Sequence, residues 1–306
     1  MANDTRSHAR PGSRFIDPLV LGRIDNLDLL ARTVVEGFIG GLHRSPYRGL
    51  SVDFAEHRAY MPGDDIRMID WRVFGRTDRF YIKQFEADSN ANFTVMLDVS
   101  RSMGFAQSGI SKLDYARYLA ACLIYFAGKQ RDRIGFLSFN DDVVDYVPPA
   151  AKHLDLILHT IDRIEPGGAS TLERPMWKLA EAARRRGIMV LISDLYEDPG
   201  MVLESVQRLG YKGNDLLVFH VLDRAEIDFP FDESANYVDM ESGESLPVIP
   251  DRLRERYQEL VAEHIQALQN TLGQRRIDYA LFDTSQPLDH ALFRYLSMRH
   301  QLTRVR

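Results

Sequence analysis

In the stretch Met96-Leu97-Asp98-Val99-Ser100-Arg101-Ser102 an oxygen-bearing side chain recurs at every second position. The residues just before it, Thr94 to Leu97, suit a strand covered on both faces. A second apolar run, Gly187 to Ser193, also ends in a carboxylate, Asp194. Between them, Gly167-Gly168-Ala169-Ser170-Thr171 places two hydroxyls in a glycine-rich loop ahead of a helical pattern. Two carboxylates and three or four hydroxyls, with no histidine or cysteine, are donors that suit a hard cation such as Mg²⁺. So few charged ligands would leave the ion able to accept water or an outside carboxylate.

These groups meet only if the elements beneath them bring them together. Strands are expected at 92–98, 133–139, 187–194, 214–223 and over RRIDYALFDT, with DDVVDYV forming a hairpin beside the second. Helices are expected at 112–129, over LDLILHTIDRI, and at 172–186, 198–209, 251–272 and 287–300. Ser111 and Asp114 supply an N-terminal cap for the first, and Pro166-Gly167-Gly168 ends the second. In helix 251–272, Leu253, Tyr257, Leu260, Val261, Ile265, Leu268 and Leu272 mark one face, with Asp251 as cap and Gly273 as stop. Strands alternating with such helices imply a mostly parallel sheet covered on both faces. In such sheets ligands lie beyond the carboxyl ends of the strands, where Asp98 and Asp194 fall.

Upstream, residues 26–38 read as a helix capped by Asn26 or Asp28 and ended by Gly40-Gly41. Residues 42–90 read as β-rich, with strands at 52–60 and 80–86 around a Pro62-Gly63-Asp64 turn, and with IRMIDWRVFG either strand or short helix. The expected division is a loose tail over 1–14, a helix and β-rich subdomain over 15–90, and a sheet domain over 91–306.

Hydrophobic residues are 45% and charged residues 27% of the 306 residues, an ordinary globular balance. A net charge of -6 argues against a nucleic-acid partner. The single cysteine, Cys122, excludes an internal disulfide and a cysteine-rich zinc site, and its apolar helical setting implies a buried, inert thiol. No apolar run approaches the ~18 residues of a membrane span, and the N-terminus lacks a secretion signal, so a cytoplasmic protein is expected. There is no phosphate-cradling Gly-Lys-Ser/Thr loop, dinucleotide fingerprint, His-Glu-x-x-His or Gly-x-Ser-x-Gly. His220 and His264 read as core or boundary residues, and Asp141, Asp142 and Asp145 as a solvated hairpin tip.

MLDVSRSM, GGASTL and VLISD together resemble the metal-ion-dependent adhesion site of von Willebrand factor A domains. The resemblance implies that Asp98, Ser100, Ser102, Thr171 and Asp194 hold Mg²⁺ or Mn²⁺, directly or through water, while a partner's acidic side chain completes the shell. It also implies a von Willebrand factor A-like, Rossmann-like α/β fold with a small β-rich N-terminal subdomain. The upstream marks are Ser45, Arg58-x-Tyr60, Pro62-Gly63-Asp64-Asp65, Arg67 and Ile69-Asp70-Trp71. They resemble the bacterial family called domain of unknown function 58. That kinship implies an adaptor or cofactor of a MoxR-type AAA+ ATPase, with other von Willebrand factor A proteins as further partners. Many members begin with paired transmembrane helices, which are not carried over to this chain.

On their own chemistry, Arg58, Tyr60, Asp64, Arg67, Asp70 and Trp71 read as a structural or partner-docking signature. Trp71 would be a buried apolar anchor, and the Arg-x-Tyr pair a clamp onto the sheet. The leading function is a non-enzymatic, metal-dependent protein-binding module. The alternatives are a Mg²⁺-dependent hydrolase using Asp64 or Asp70 as base, and a structural protein with a degenerate metal site.

Overall fold

Six apolar segments assemble the central sheet of the computed structural model, which describes residues 18–21, 24, 26–42, 56–61, 69–84, 91–107, 109–183 and 185–305. Ahead of the sheet come α1 (Pro18–Leu21), α2 (Leu27–Leu42), β1 (Glu56–Ala59), α3 (Trp71–Thr77) and β2 (Tyr81–Gln84). The sheet strands are β3 (Asn92–Asp98), β4 (Arg133–Phe139), β5 (Val143–Ala150), β6 (Gly187–Ser193), β7 (Asp215–Leu222) and, after a separate hairpin of β8 (Ala235–Val238) and β9 (Ser245–Val248), β10 (Asp278–Asp283). The sheet order is β10-β7-β6-β3-β4-β5, parallel except for the β4–β5 pair. β3, β4, β6 and β7 are buried almost throughout, as continuous apolar runs require. The antiparallel strand β5, with Pro148 and Pro149, takes an edge, where a missing N–H is tolerated.

Helices α4 (Lys112–Lys129), α5 (Leu154–Asp162) and α10 (Asp289–Val305) share one apolar layer with α2. The other layer holds α6 (Glu173–Ala182), α7 (Pro199–Gly210) and, after the short α8 (Arg224–Asp228), the carboxyl end of α9 (Pro250–Gly273). This is the expected α/β arrangement: a mostly parallel sheet with helices on both faces. The strand order runs outward one way from β3 through β4 and the other way from β6 through β7. The two strands that end at Asp98 and Asp194 therefore flank the topological switch point. Among the described residues, no helix is long and apolar enough to cross a membrane.

Several local expectations are corrected. Helix α2 is capped by Asn26, whose Oδ1 accepts from the Leu29 amide at 2.9 Å, but it runs through Gly40-Gly41 to Leu42. Glycine costs a helix only ~1 kcal/mol, less than packing on α4 returns, as in the Phe38–Phe126 contact at 6.4 Å. α6 stops at Ala182 because Ala183 is already extended toward β6. On α9, Ile249 occupies the cap position and Pro250 the first turn, so Asp251 lies inside the helix. Of its apolar face only Leu268 and Leu272 are buried, whereas Leu253 and Leu260 are exposed.

Trp71 is not a buried anchor: it is 61% exposed. It opens α3 and joins a surface aromatic cluster, edge-on to Phe74 and Phe80, which stack at 4.4 Å, with Tyr60 6.3 Å from Phe80. β1 and β2 pair antiparallel, placing Arg58 opposite Ile82, while the Arg58 side chain lies outside the described residues. So do the 1–14 tail, Ser45, Pro62, Gly63, Asp64, Asp65 and Arg67.

Candidate functional site

At the end of β3 the backbone turns because Asp98 turns it. One carboxylate oxygen accepts from the Ser100 amide at 2.9 Å, a local side-chain turn that competes with further strand pairing. A 3₁₀ turn, Arg101–Gly104, then folds Ser102 back until its hydroxyl stands 3.1 Å from that of Ser100. The other Asp98 oxygen accepts from Ser170 at 2.9 Å and from Ser193 at 2.7 Å. A hydroxyl that donates to a carboxylate becomes a more electron-rich acceptor, and so a better cation ligand.

The glycine-rich loop is drawn in by backbone bonds. Arg101 donates to the Gly168 carbonyl at 3.1 Å, and the Asn140 amide side chain donates to Gly167 O at 3.0 Å. Gly168 has φ +79°, and a Cβ there would strike Asn140, so only glycine fits. Thr171 is fixed by its amide to Asn140 O at 3.2 Å and is half-buried. Its neighbour Ser170, rather than Thr171, bonds Asp98 and faces the adjoining cleft.

Asp194 is held from two sides. His220 Nε2 donates to its carbonyl at 2.8 Å, which leaves Nδ1 to accept from the Tyr279 hydroxyl at 2.7 Å. This imidazole is a neutral core group, pushed down to about 3 chiefly by burial. His264 Nε2 holds the carbonyl of Leu195, whose φ of 47° turns the chain sharply after Asp194. The Asp194 carboxylate accepts from Lys112 Nζ at 2.8 Å, and the same ammonium reaches Glu226 at 2.7 Å. Lys112 is fully buried. Burial alone would lower its pKa, but Asp194 and Glu226 outweigh it and hold the ammonium above its ordinary value. Tyr196 closes this arrangement, its ring 4.9 Å from Nζ and its hydroxyl donating to Glu226 at 2.7 Å.

Among the described residues the rim thus sets Asp194 and Glu226 around one ammonium, with Asp98 beside Asp194 and bonded to serines. Burial, and then the charge of Asp194, push Asp98 up to about 6. The remaining negative charge and the paired hydroxyls fit a hard divalent cation bound through few carboxylates, with water completing its shell. No group of three or more His, Cys, Asp or Glu side chains arranged for a metal occurs among the described residues, which fits neither a structural zinc site nor a carboxylate-rich calcium site.

The rim opens into a cleft of about 710 Å³. Ser102, Ser170, Ser193 and Asp194 form its floor. Its walls are aromatic, with Phe105, Tyr196, Phe229 and Tyr257, and the β8–β9 hairpin roofs it from Tyr237 to Ser242. No described residue of 56–84 lines it. Asp70 instead caps α3, accepting from the Val73 amide at 3.2 Å. At the acidic hairpin tip, Asp142 pairs with Lys178 at 2.5 Å and with Arg174 at 3.4 Å.

Sequence reasoning named Asp98, Ser100, Ser102, Thr171 and Asp194 as the site, with Ser170 only as a neighbouring loop hydroxyl, and missed Lys112, Ser193, Glu226 and the hairpin. One signal for Lys112 was present: it begins a helix, where the macrodipole disfavours a cation. Nothing comparable marks the hairpin, whose short strands carry no strong alternation.

The family model described as "Protein of unknown function DUF58" matches residues 56–267. The uncharacterized protein Rv1480 of Mycobacterium tuberculosis is 28% identical over 232 residues, which are 74% of this chain and 73% of that protein. Mb1516 of Mycobacterium bovis matches to the same extent. Among solved structures, the conserved hypothetical protein BatB from Bacteroides thetaiotaomicron aligns with TM-score 0.48 and 17% identity, over 69% of this chain and 99% of that one. The SpRpn10 VWA domain aligns with TM-score 0.40 and 12% identity, over 66% and 93%.

Proposed function

Since the chain belongs to the DUF58 family, and since its rim residues converge at the switch point of the sheet, we propose that it is a non-enzymatic protein-binding module that works through a bound Mg²⁺ or Mn²⁺. The observation that carries this reading is the convergence of Ser100, Ser170 and Ser193 on buried Asp98, with the Ser102 hydroxyl paired to that of Ser100 and Asp194 nearby, at the floor of an open cleft. Asp98, Ser100, Ser102, Thr171 and Asp194 would hold the cation, directly or through water. The cation supplies a Lewis-acid position for one oxygen ligand from outside, and an acidic side chain of the partner is the ligand that best offsets its charge. The protein's own part is to fix the hydroxyls and to hold the Asp194 carboxylate in place against Lys112.

Kinship extends the reading to a MoxR-type AAA+ ATPase as partner, with this chain as its adaptor in assembly or maturation. A hydrolase reading gains no support from the geometry, because Asp70 is engaged at the start of α3 and no described upstream residue lines the cleft.

Calorimetric titration tests the site. Mg²⁺ or Mn²⁺ should bind the wild type and give no binding heat with Asp98→Ala, whose circular dichroism spectrum should be unchanged. Equal heats in the two proteins would remove the ligand assignment. Pull-down of the MoxR-type ATPase should weaken at least about tenfold when EDTA replaces Mg²⁺, a change of ~1.4 kcal/mol.

A further inference from the structure

The hairpin over the cleft brings a carboxylate of its own. β8 and β9 are four residues each, and the turn between them is built on Asp239, whose side chain accepts from the amides of Glu241 and Ser242. That turn aims Glu241 inward, and its Oε1 accepts from the Ser170 amide at 3.2 Å. Ser170 is the residue whose hydroxyl donates to Asp98. On the opposite side, Met240 reaches the 3₁₀ turn, where a Cβ on Gly104 would lie 4.0 Å from its Cε. The hairpin tip therefore spans the rim, from the turn after β3 to the glycine-rich loop.

The hairpin's first strand and its turn are held differently. In β8, two residues before Asp239, Tyr237 stacks on Phe229 at 5.9 Å and meets Phe231 edge-on at 5.5 Å, and Phe229 packs on Tyr257 of α9 at 4.7 Å. Elsewhere little is buried: Val238, Met240 and Leu246 are 59%, 42% and 64% exposed, and only Val248 of the two strands is buried. An isolated two-stranded hairpin is marginal in water, and sparsely buried segments are those that open at low free energy. Beyond Tyr237 the turn has no buried side chain to hold it down.

We propose that Glu241 is the chain's own acidic ligand for the cation at Asp98, Ser100 and Ser102. With the hairpin down, its carboxylate takes the approach that a partner's acidic side chain must use, and the partner binds by displacing it. This rests on the cation reading given above. It adds that the site is self-occupied at rest, so that partner affinity is set by competition within the molecule.

The test is Mn²⁺ binding followed by calorimetry and by amide hydrogen exchange over residues 235–248. Glu241→Gln is the informative variant, because its amide oxygen still accepts from the Ser170 amide while the charge is lost. In the wild type, saturating Mn²⁺ should slow exchange in the hairpin about tenfold or more. In Glu241→Gln, Mn²⁺ should bind about tenfold more weakly and leave hairpin exchange unchanged. Equal affinity and equal protection in both proteins would overturn the inference and leave the cation site standing. A wild type that binds no Mn²⁺ would overturn both.

Discussion

The Lys112 ammonium is fully buried, and its charge is compensated by Asp194 and Glu226. Removing one member of such a buried group leaves uncompensated charge in a medium that cannot screen it. Lys112→Met, close in volume, should lower stability by about 3–5 kcal/mol in urea unfolding. A loss below about 1 kcal/mol would mean that water already reaches the two carboxylates. The sequence made Asp98 and Ser100 conspicuous because their spacing is local, two residues along one turn. Lys112 and Glu226 became partners only through folding, 114 residues apart in the chain. No short-range pattern records such a pairing. Ser193 was hidden differently, since a serine closing an apolar run reads as the last residue of a strand.

Elements were legible wherever one face had to be apolar. The buried strands and α4, with Ser111 accepting from the Asp114 amide at 3.0 Å, follow their patterns closely. The pattern misled where an apolar stripe is not covered, as along the first half of α9, because periodicity reports a face and not what lies against it. Trp71 misled for the same reason: its size suggested an anchor, yet it caps a surface cluster with Phe74 and Phe80. Trp71→Ala should therefore cost only about 1 kcal/mol, the scale of an aromatic pair outside the core. The melting temperature should fall by about 2–4 °C. A fall above about 10 °C would place the indole in a buried interface after all.

At the scale of the whole chain, α2 belongs to the layer beneath the sheet. Leu30, Ala31, Val34 and Val35 are fully buried there, and Phe38 meets Phe126 of α4. Burying an aliphatic side chain contributes about 1.5–3 kcal/mol, so removing α2 subtracts an amount comparable to the ~5–15 kcal/mol that holds a typical protein folded. A chain beginning at residue 91 should bind a hydrophobic dye and lose cooperative thermal unfolding. A sharp transition within about 5 °C of the intact protein would show that α4 repacks alone.

The pairing of β3 with β6 begins at Asn92 and Gly187, at the rim farthest from the aspartates, and stays in phase to Leu97 and Ile192. Any side chain at position 187 would run into the carbonyl oxygen of Asn92. A hydrogen atom on one α-carbon thus acts as the zero mark of a ruler, and Asp98 and Asp194 are graduations read about 20 Å along it. Enlarging that residue would shift the scale without touching any group at its far end.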